Sequence, residues 1–145
     1  MMNDLFNSIN NITSASDDLP FAVYTSVYEQ ELLNVPIAKP LLIVVISGDK
    51  ELGKNNEITC HTGQFIFLSD SPSINMRNIP KNNAYFALLV EFSYEDFDGI
   101  PSINAEKSDH FIGEVTFELK KCLQQFVEST AWAPKSICSL RKKEI

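Results

Sequence analysis

Residues 41–92 read LLIVVISGDKELGKNNEITCHTGQFIFLSDSPSINMRNIPKNNAYFALLVEF, a series of short apolar runs punctuated by Gly, Pro, Asn and Asp. Leu41 to Ser47 is continuously apolar, the pattern of a strand covered on both faces. Gly48 permits a bend or bulge behind it. Gly53-Lys54-Asn55-Asn56 supplies residues that tolerate positive φ, which predicts a hairpin returning through Glu57 to His61. Thr62-Gly63 turns the chain into a strand over Gln64 to Ser69, and Asp70-Ser71-Pro72 makes the next corner. Ser73 to Ile79 reads as a further strand, and Pro80 to Asn83 leads into another over Tyr85 to Phe92. Closely spaced strands with a turn signal between each pair predict antiparallel sheets closed into a small barrel or sandwich of the jelly-roll type.

Outward from this core, Leu5, Ile9 and Ile12 share one helical face, with Asn3 or Asp4 available as a cap, so residues 1–18 are expected to form a short helix or arm ending in the polar run Thr13 to Asp18. Phe21 to Tyr28, rich in aromatic and β-branched residues, is the expected first strand, and Pro36 and Pro40 bracket a loop. The barrel is expected over 19–112. Asp96, Asp98, Gly99 and Pro101 break up regular structure, predicting a loop with one helical turn as far as His110. A helical segment is then expected over 113–145. Val115, Leu119, Cys122, Leu123 and Phe126 form one apolar stripe, and Glu118, Lys121, Gln124, Gln125 and Glu128 lie off it. Pro134 is expected to stop this helix and open another, on which Ile137, Leu140 and Ile145 share a side. That pattern runs out at Ile145, which suggests that the natural polypeptide continues.

The chain has 145 residues, 44% of them hydrophobic and 21% charged, within the range of one ordinary globular domain. Its formal net charge of −7 opposes direct attraction to phosphate backbones. The one basic cluster, Arg141, Lys142 and Lys143, reads as a solvated helix end complementing the macrodipole. The three cysteines, Cys60, Cys122 and Cys138, include no CxxC pair, and an odd count fits a reducing cytoplasm better than a disulfide scheme. No secretory leader and no membrane-spanning apolar run is visible.

Catalytic chemistry finds little support. Cys60 and His61 are adjacent, but neighbours on a strand point to opposite faces and do not share a proton efficiently. The second histidine, His110, is far along the chain and no HxH or HExxH spacing occurs, so no metal and no cofactor are expected. Most carboxylates sit in turn segments, where their pKa values stay ordinary; Glu91 interrupts an apolar strand, and alternation assigns it to solvent or, less simply, to a pocket. Glycine-rich nucleotide loops and the hydrolase elbow are absent.

Three segments together, VVISGDKEL, HTGQFIFLSDSP and AYFALLVEF, resemble the N-terminal domain of AraC-family transcriptional regulators. The shared positions are Gly48 and Lys50; Gly63 with Phe65, Ser69, Asp70 and Pro72; and Tyr85, Ala87 and Leu88. The C-terminal LKKCLQQFVESTAWAPKSICSLRKKEI is similar to that family's paired helices, so the resemblance spans about Leu19 to Ile145. It implies a mainly β chain with C-terminal helices: a cupin-like jelly-roll β-barrel that binds a small-molecule effector, followed by an α-helical segment that pairs two subunits into a homodimer. DNA would be contacted only through a C-terminal helix-turn-helix domain absent from this chain. Where a sugar-responsive member carries an arginine before the glycine, this chain has Ser47, which implies an effector other than an arabinose-like sugar. Alternation and strand correspondence nominate Tyr24, Val45, Ser47, Phe65, Phe67, Met76, Ala87 and Leu89 as cavity residues, with ordinary core packing as their plain alternative. The helix stripe nominates Leu119, Cys122, Leu123 and Phe126 for subunit pairing, with packing inside one chain as the alternative. Competing functional readings are a stand-alone cupin-type enzyme, a metal-dependent isomerase or dioxygenase, and a dimerisation module without ligand.

Overall fold

The computed structural model describes residues 3–13, 21–37, 39–53, 58–69, 71–81, 84–92, 110–130 and 145. Among the described residues eleven elements follow one another: α1 (Asn3–Thr13), β1 (Ala22–Ser26), β2 (Gln30–Ile37), β3 (Leu41–Ser47), β4 (Asp49–Leu52), β5 (Ile58–Cys60), β6 (Gln64–Leu68), β7 (Ser71–Ile79), β8 (Tyr85–Glu91), β9 (His110–Glu114) and α2 (Phe117–Ser129). They fall into two compact units, one of residues 23–114 and the other of residues 1–22 with 115–145.

In the strand-rich unit the order β1-β8-β3-β6-β9 makes a five-stranded sheet and β2-β7-β4-β5 a four-stranded one. The first eight strands thereby take the sheet order of a jelly roll, with β9 added at one edge. β3 is central to the larger sheet and pairs antiparallel with both β6 and β8. That position explains its unbroken apolar run: Leu42 to Ile46 are all buried, so both faces are covered. The facing apolar cluster is built from Ile43, Val45, Ile66, Tyr85 and Ala87 of the larger sheet with Leu52, Cys60 and Met76 of the smaller. Gly48, at φ +92°, turns β3 into β4 where a Cβ would come within 2.5 Å of the Ile79 carbonyl oxygen, so only glycine fits.

In the helical unit α1 buries Leu5 and Ile9 completely, one turn apart, and packs with α2, which buries Leu123, Phe126 and Val127. Phe21 meets Phe126 edge-on at 6.1 Å between ring centres. Thr116 caps α2 by accepting from the Leu119 N–H at 3.1 Å. The Ser8 hydroxyl donates to Glu128 at 3.3 Å, and Lys120 approaches Asp4 at 3.7 Å.

Three expectations need correction. Pro36 and Ile37, expected at the start of a loop bracketed by Pro36 and Pro40, belong instead to the strand Gln30–Ile37, which has register shifts between Leu32 and Val35 and again before Ile37. His110–Glu114 is a strand that reaches into the 113–145 span expected to be helical, and it puts Val115 ahead of α2 instead of on its stripe. The Asp70-Ser71-Pro72 corner is shorter than expected, since β7 already includes Ser71 and Pro72. The expected hairpin tip at 54–57, the loop over 94–109, the second helix after Pro134 and the basic cluster at 141–143 lie outside the described residues.

Candidate functional site between the two sheets

Register in the smaller sheet sorts its inward side chains into two rows. Gln30 pairs with Asn78, Asn78 with Lys50, and Lys50 with Cys60, which makes a polar row across all four strands. Two residues along the strands, Leu32 pairs with Met76, Met76 with Leu52, and Leu52 with Ile58, which makes an apolar row. The intervening residues Glu31, Arg77, Glu51 and Thr59 occupy the opposite face, where Arg77 meets Glu29 at 2.8 Å and Glu51 at 3.5 Å. The interior face of this sheet is therefore amphipathic along the strand direction.

Lys50 is the unusual member of the polar row, for it is only 4% exposed. Its Nζ donates to Asn78 Oδ1 at 2.8 Å and lies 5.7 Å from the centre of the Tyr85 ring, which belongs to the opposite sheet. Burial holds its pKa down to about 8, so the ammonium still carries its charge at neutral pH. Burial also pushes the Cys60 thiol up to about 12 and the Tyr85 phenol upward, so neither neighbour supplies a counter-anion. The Tyr85 hydroxyl and Asn78 Nδ2 are buried without a hydrogen-bond partner. Tyr24, edge-on to Tyr85 at 6.2 Å, donates its hydroxyl to Gln30 Oε1.

The nearest acid in sequence faces away from this group. Asp49 accepts from Lys81 at 2.8 Å and contacts His61 Nδ1 at 3.0 Å. Burial alone would raise its pKa, but the hydrogen bonds from Lys81 and His61 outweigh it and hold the carboxyl below its usual value. Cys60 points inward and is fully buried while His61 is exposed, so strand alternation keeps the two apart. Glu91 is exposed. Among the described residues no group of three His, Cys, Asp or Glu side chains is placed to hold a metal ion, and no helix is long and apolar enough to cross a membrane.

The nominated cavity residues divide. Val45, Met76 and Ala87 are buried in the intersheet cluster, and Tyr24 and Leu89 pack against it. Phe65 and Phe67 occupy the other face of β6: they share rows with Val44 and Leu42, and their rings contact Phe111 and Phe92. Ile66 and Leu68 take the inward places instead. Ser47 donates its hydroxyl to the carbonyl of Ala84 at 3.0 Å, at the turn before β8. On α2, Leu123 and Phe126 are fully buried within the single chain, and Leu119 and Cys122 are half-buried. Lys50, Asn78 and Tyr85 were not among the nominated residues. The signal for Lys50 was its two-residue spacing from Leu52, which sets both on one side of β4.

No protein-family model matches the sequence, and no curated protein matches it. Solved structures do match. ToxT of Vibrio cholerae strain SCE256 with an unsaturated fatty acid bound superimposes at TM-score 0.62 with 12% identity, over 88% of this chain and 53% of that one. An apo ToxT variant of the same strain gives 0.59 and 14%, over 88% and 54%. ToxT of Vibrio cholerae O395 bound to (E)-4-(8-methylnaphthalen-1-yl)but-3-enoic acid gives 0.63 and 13%, over 85% and 53%. The chain thus spans about half the length of the ToxT chains, and at these identities the likeness is one of fold, a cupin-like jelly roll.

Proposed function

We propose that this chain is the effector-sensing portion of an AraC-family transcription regulator, taking a small, mainly apolar molecule between its two sheets. The observation that carries this reading is the interior of the smaller sheet, where one polar row borders one apolar row and Lys50 stands buried with unsatisfied donors around it. An interior arranged only for packing gains nothing from a buried charge. The sequence resemblance and the fold shared with ToxT, two of whose structures hold carboxylic acids, support the same reading.

No chemistry on the ligand is involved. A molecule that prefers one arrangement of the domain shifts the population toward it, and a coupling of about 1 to 3 kcal/mol changes the affinity of a linked DNA reader about 5 to 150-fold. We further assign subunit pairing to α2, with half-buried Leu119 and Cys122 available at the surface and Leu123 and Phe126 supporting them from beneath. Cytoplasmic location belongs to this same reading.

A pairing module with a filled interior is the second reading, favoured by the complete burial of Val45, Leu52, Ile66 and Ala87. Thermal-shift screening of the full chain separates the two, because a ligand bound to the native state raises the melting temperature. The sensor reading expects a concentration-dependent rise with medium-chain and long-chain carboxylic acids; an unmoved melting temperature across the series favours the filled module.

A further inference from the structure

We infer that β9 pairs antiparallel with β9 of a second copy of this chain, joining the two five-stranded sheets edge to edge about a two-fold axis at Ile112. The inference extends the subunit-pairing reading and rests on it.

The four sheet edges are not alike. β5 is three residues long, and β2 carries two register shifts, Pro36 and a positive φ at Asn34, features that keep a strand edge from being paired. The exposed positions of β1 are Ala22 and Thr25. β9 is regular and apolar instead: its register with β6 runs unbroken from Gln64–Glu114 to Leu68–His110, it contains neither proline nor lysine, and Phe111 is 62% exposed. Among the described residues β6 is its one strand partner, so its second edge offers backbone N–H and C=O groups to a further strand.

The strand's own sequence names the occupant. HFIGE laid antiparallel on itself pairs all five residues in a single register, with Ile112 opposite the partner's Ile112, Phe111 opposite the partner's Gly113 and Glu114 opposite the partner's His110, so no like charges meet. Phenylalanine over glycine is already the packing between β6 and β9: Phe65 pairs with Gly113, where a Cβ would lie 2.8 Å from its ring, and that ring stands 6.0 Å from Phe111 between centres. Phe65 and Phe67 are half-buried on this face. The two-fold repeat sets Phe65, Gly113, the partner's Phe111 and the partner's Phe67 in one row, which covers the exposed ring of each copy. Five residues a side bury less than the roughly 800 Å² per partner of a stand-alone interface, so β9 supplements the α2 contact, to which Val115 and Thr116 join it in the chain.

Oxidative cross-linking and sedimentation of the full 145-residue chain test this. In a Cys122→Ala, Cys138→Ala background, Ile112→Cys places two thiols directly opposite each other, about 4.5 to 5.5 Å apart at Cβ, whereas the two copies of Phe111→Cys lie on a diagonal of roughly 7 to 8 Å. The cross-linked dimer therefore forms about tenfold or more faster at 112 than at 111. Random collision reverses that order, because 111 is the more exposed position, and equal or faster cross-linking at 111 overturns the pairing. In sedimentation, which serves if Ile112→Cys does not fold, Phe111→Lys raises the dimer Kd about tenfold or more, the two-fold repeating the loss. Leu33→Lys, 60% exposed on the bulged edge of β2, leaves it unchanged. A Phe111→Lys dimer as tight as wild type, with Leu119→Glu monomeric, overturns the β9 contact and keeps pairing through α2. A wild type that is monomeric at every concentration removes the pairing reading and the β9 contact with it.

Discussion

Lys50 and Asn78 face each other across the β4–β7 pairing, with the lysine Nζ 2.8 Å from the amide oxygen inside the jelly roll. The pair sets a charge against one neutral acceptor, an arrangement that costs the domain stability.

The cost is visible in pH dependence. Lys50 titrates near 10.5 in the unfolded chain and near 8 when folded, so between those values the unfolded chain holds more protons and stability rises with pH. Cys60 acts in the opposite sense from about pH 9 upward, because its folded pKa is raised to about 12 from 9.0. Tyr85 joins it at higher pH, its phenol also being raised by burial. Urea unfolding therefore shows a gain of about 1 kcal/mol between about pH 8 and pH 9, flattening above, and Lys50→Met abolishes that gain. A profile identical in the two proteins contradicts the burial of a charged Lys50.

Gly48→Ala strains the β3–β4 turn twice over, through a positive φ and through a Cβ placed 2.5 Å from the Ile79 carbonyl. A loss of at least about 1 to 3 kcal/mol in denaturant unfolding is expected. Gly63→Ala is the control: it shares the positive φ but has nothing within 4 Å of the added carbon, so its loss is smaller.

The helical unit depends on the fully buried Leu5 and Leu123. Truncating either to alanine removes about 2 to 5 kcal/mol and is expected to speed amide exchange in α1 and α2. Phe117→Ser, at a position 69% exposed, leaves exchange unchanged.

Subunit pairing through α2 predicts that light scattering finds about twice the 16.3 kDa chain mass for wild type and the single mass for Leu119→Glu. A Leu119→Glu protein that keeps the doubled mass removes α2 from the interface.

Residues 41–92 made the sandwich legible because their strands are short, apolar and separated by turn residues, and β3 and β8 match their expected ranges to within one residue. β2 was hidden by its register shifts, which scramble the period-two pattern through Asn34, at φ 56°. Phase was the harder matter. Gln64 to Leu68 carries four apolar residues in a row, so alternation could set either the phenylalanines or Ile66 and Leu68 inward, and both faces of β6 proved to be lined by apolar neighbours. Lys50 reads in isolation as a solvent residue between Asp49 and Glu51; its spacing from Leu52 and its cross-strand partners Asn78 and Cys60 together set it toward the interior.

Met76 offers the most direct test of a ligand between the sheets. The chain has three methionines, Met1, Met2 and Met76, and Met76 lies in the interior apolar row. With 13C-labelled methionine methyl groups, titration of hexadecenoic acid is expected to shift the Met76 resonance saturably, with the midpoint given by calorimetry. A Met76 resonance that stays in place while calorimetry reports saturation contradicts the account, because the acid would then be binding somewhere other than the interior of the jelly roll.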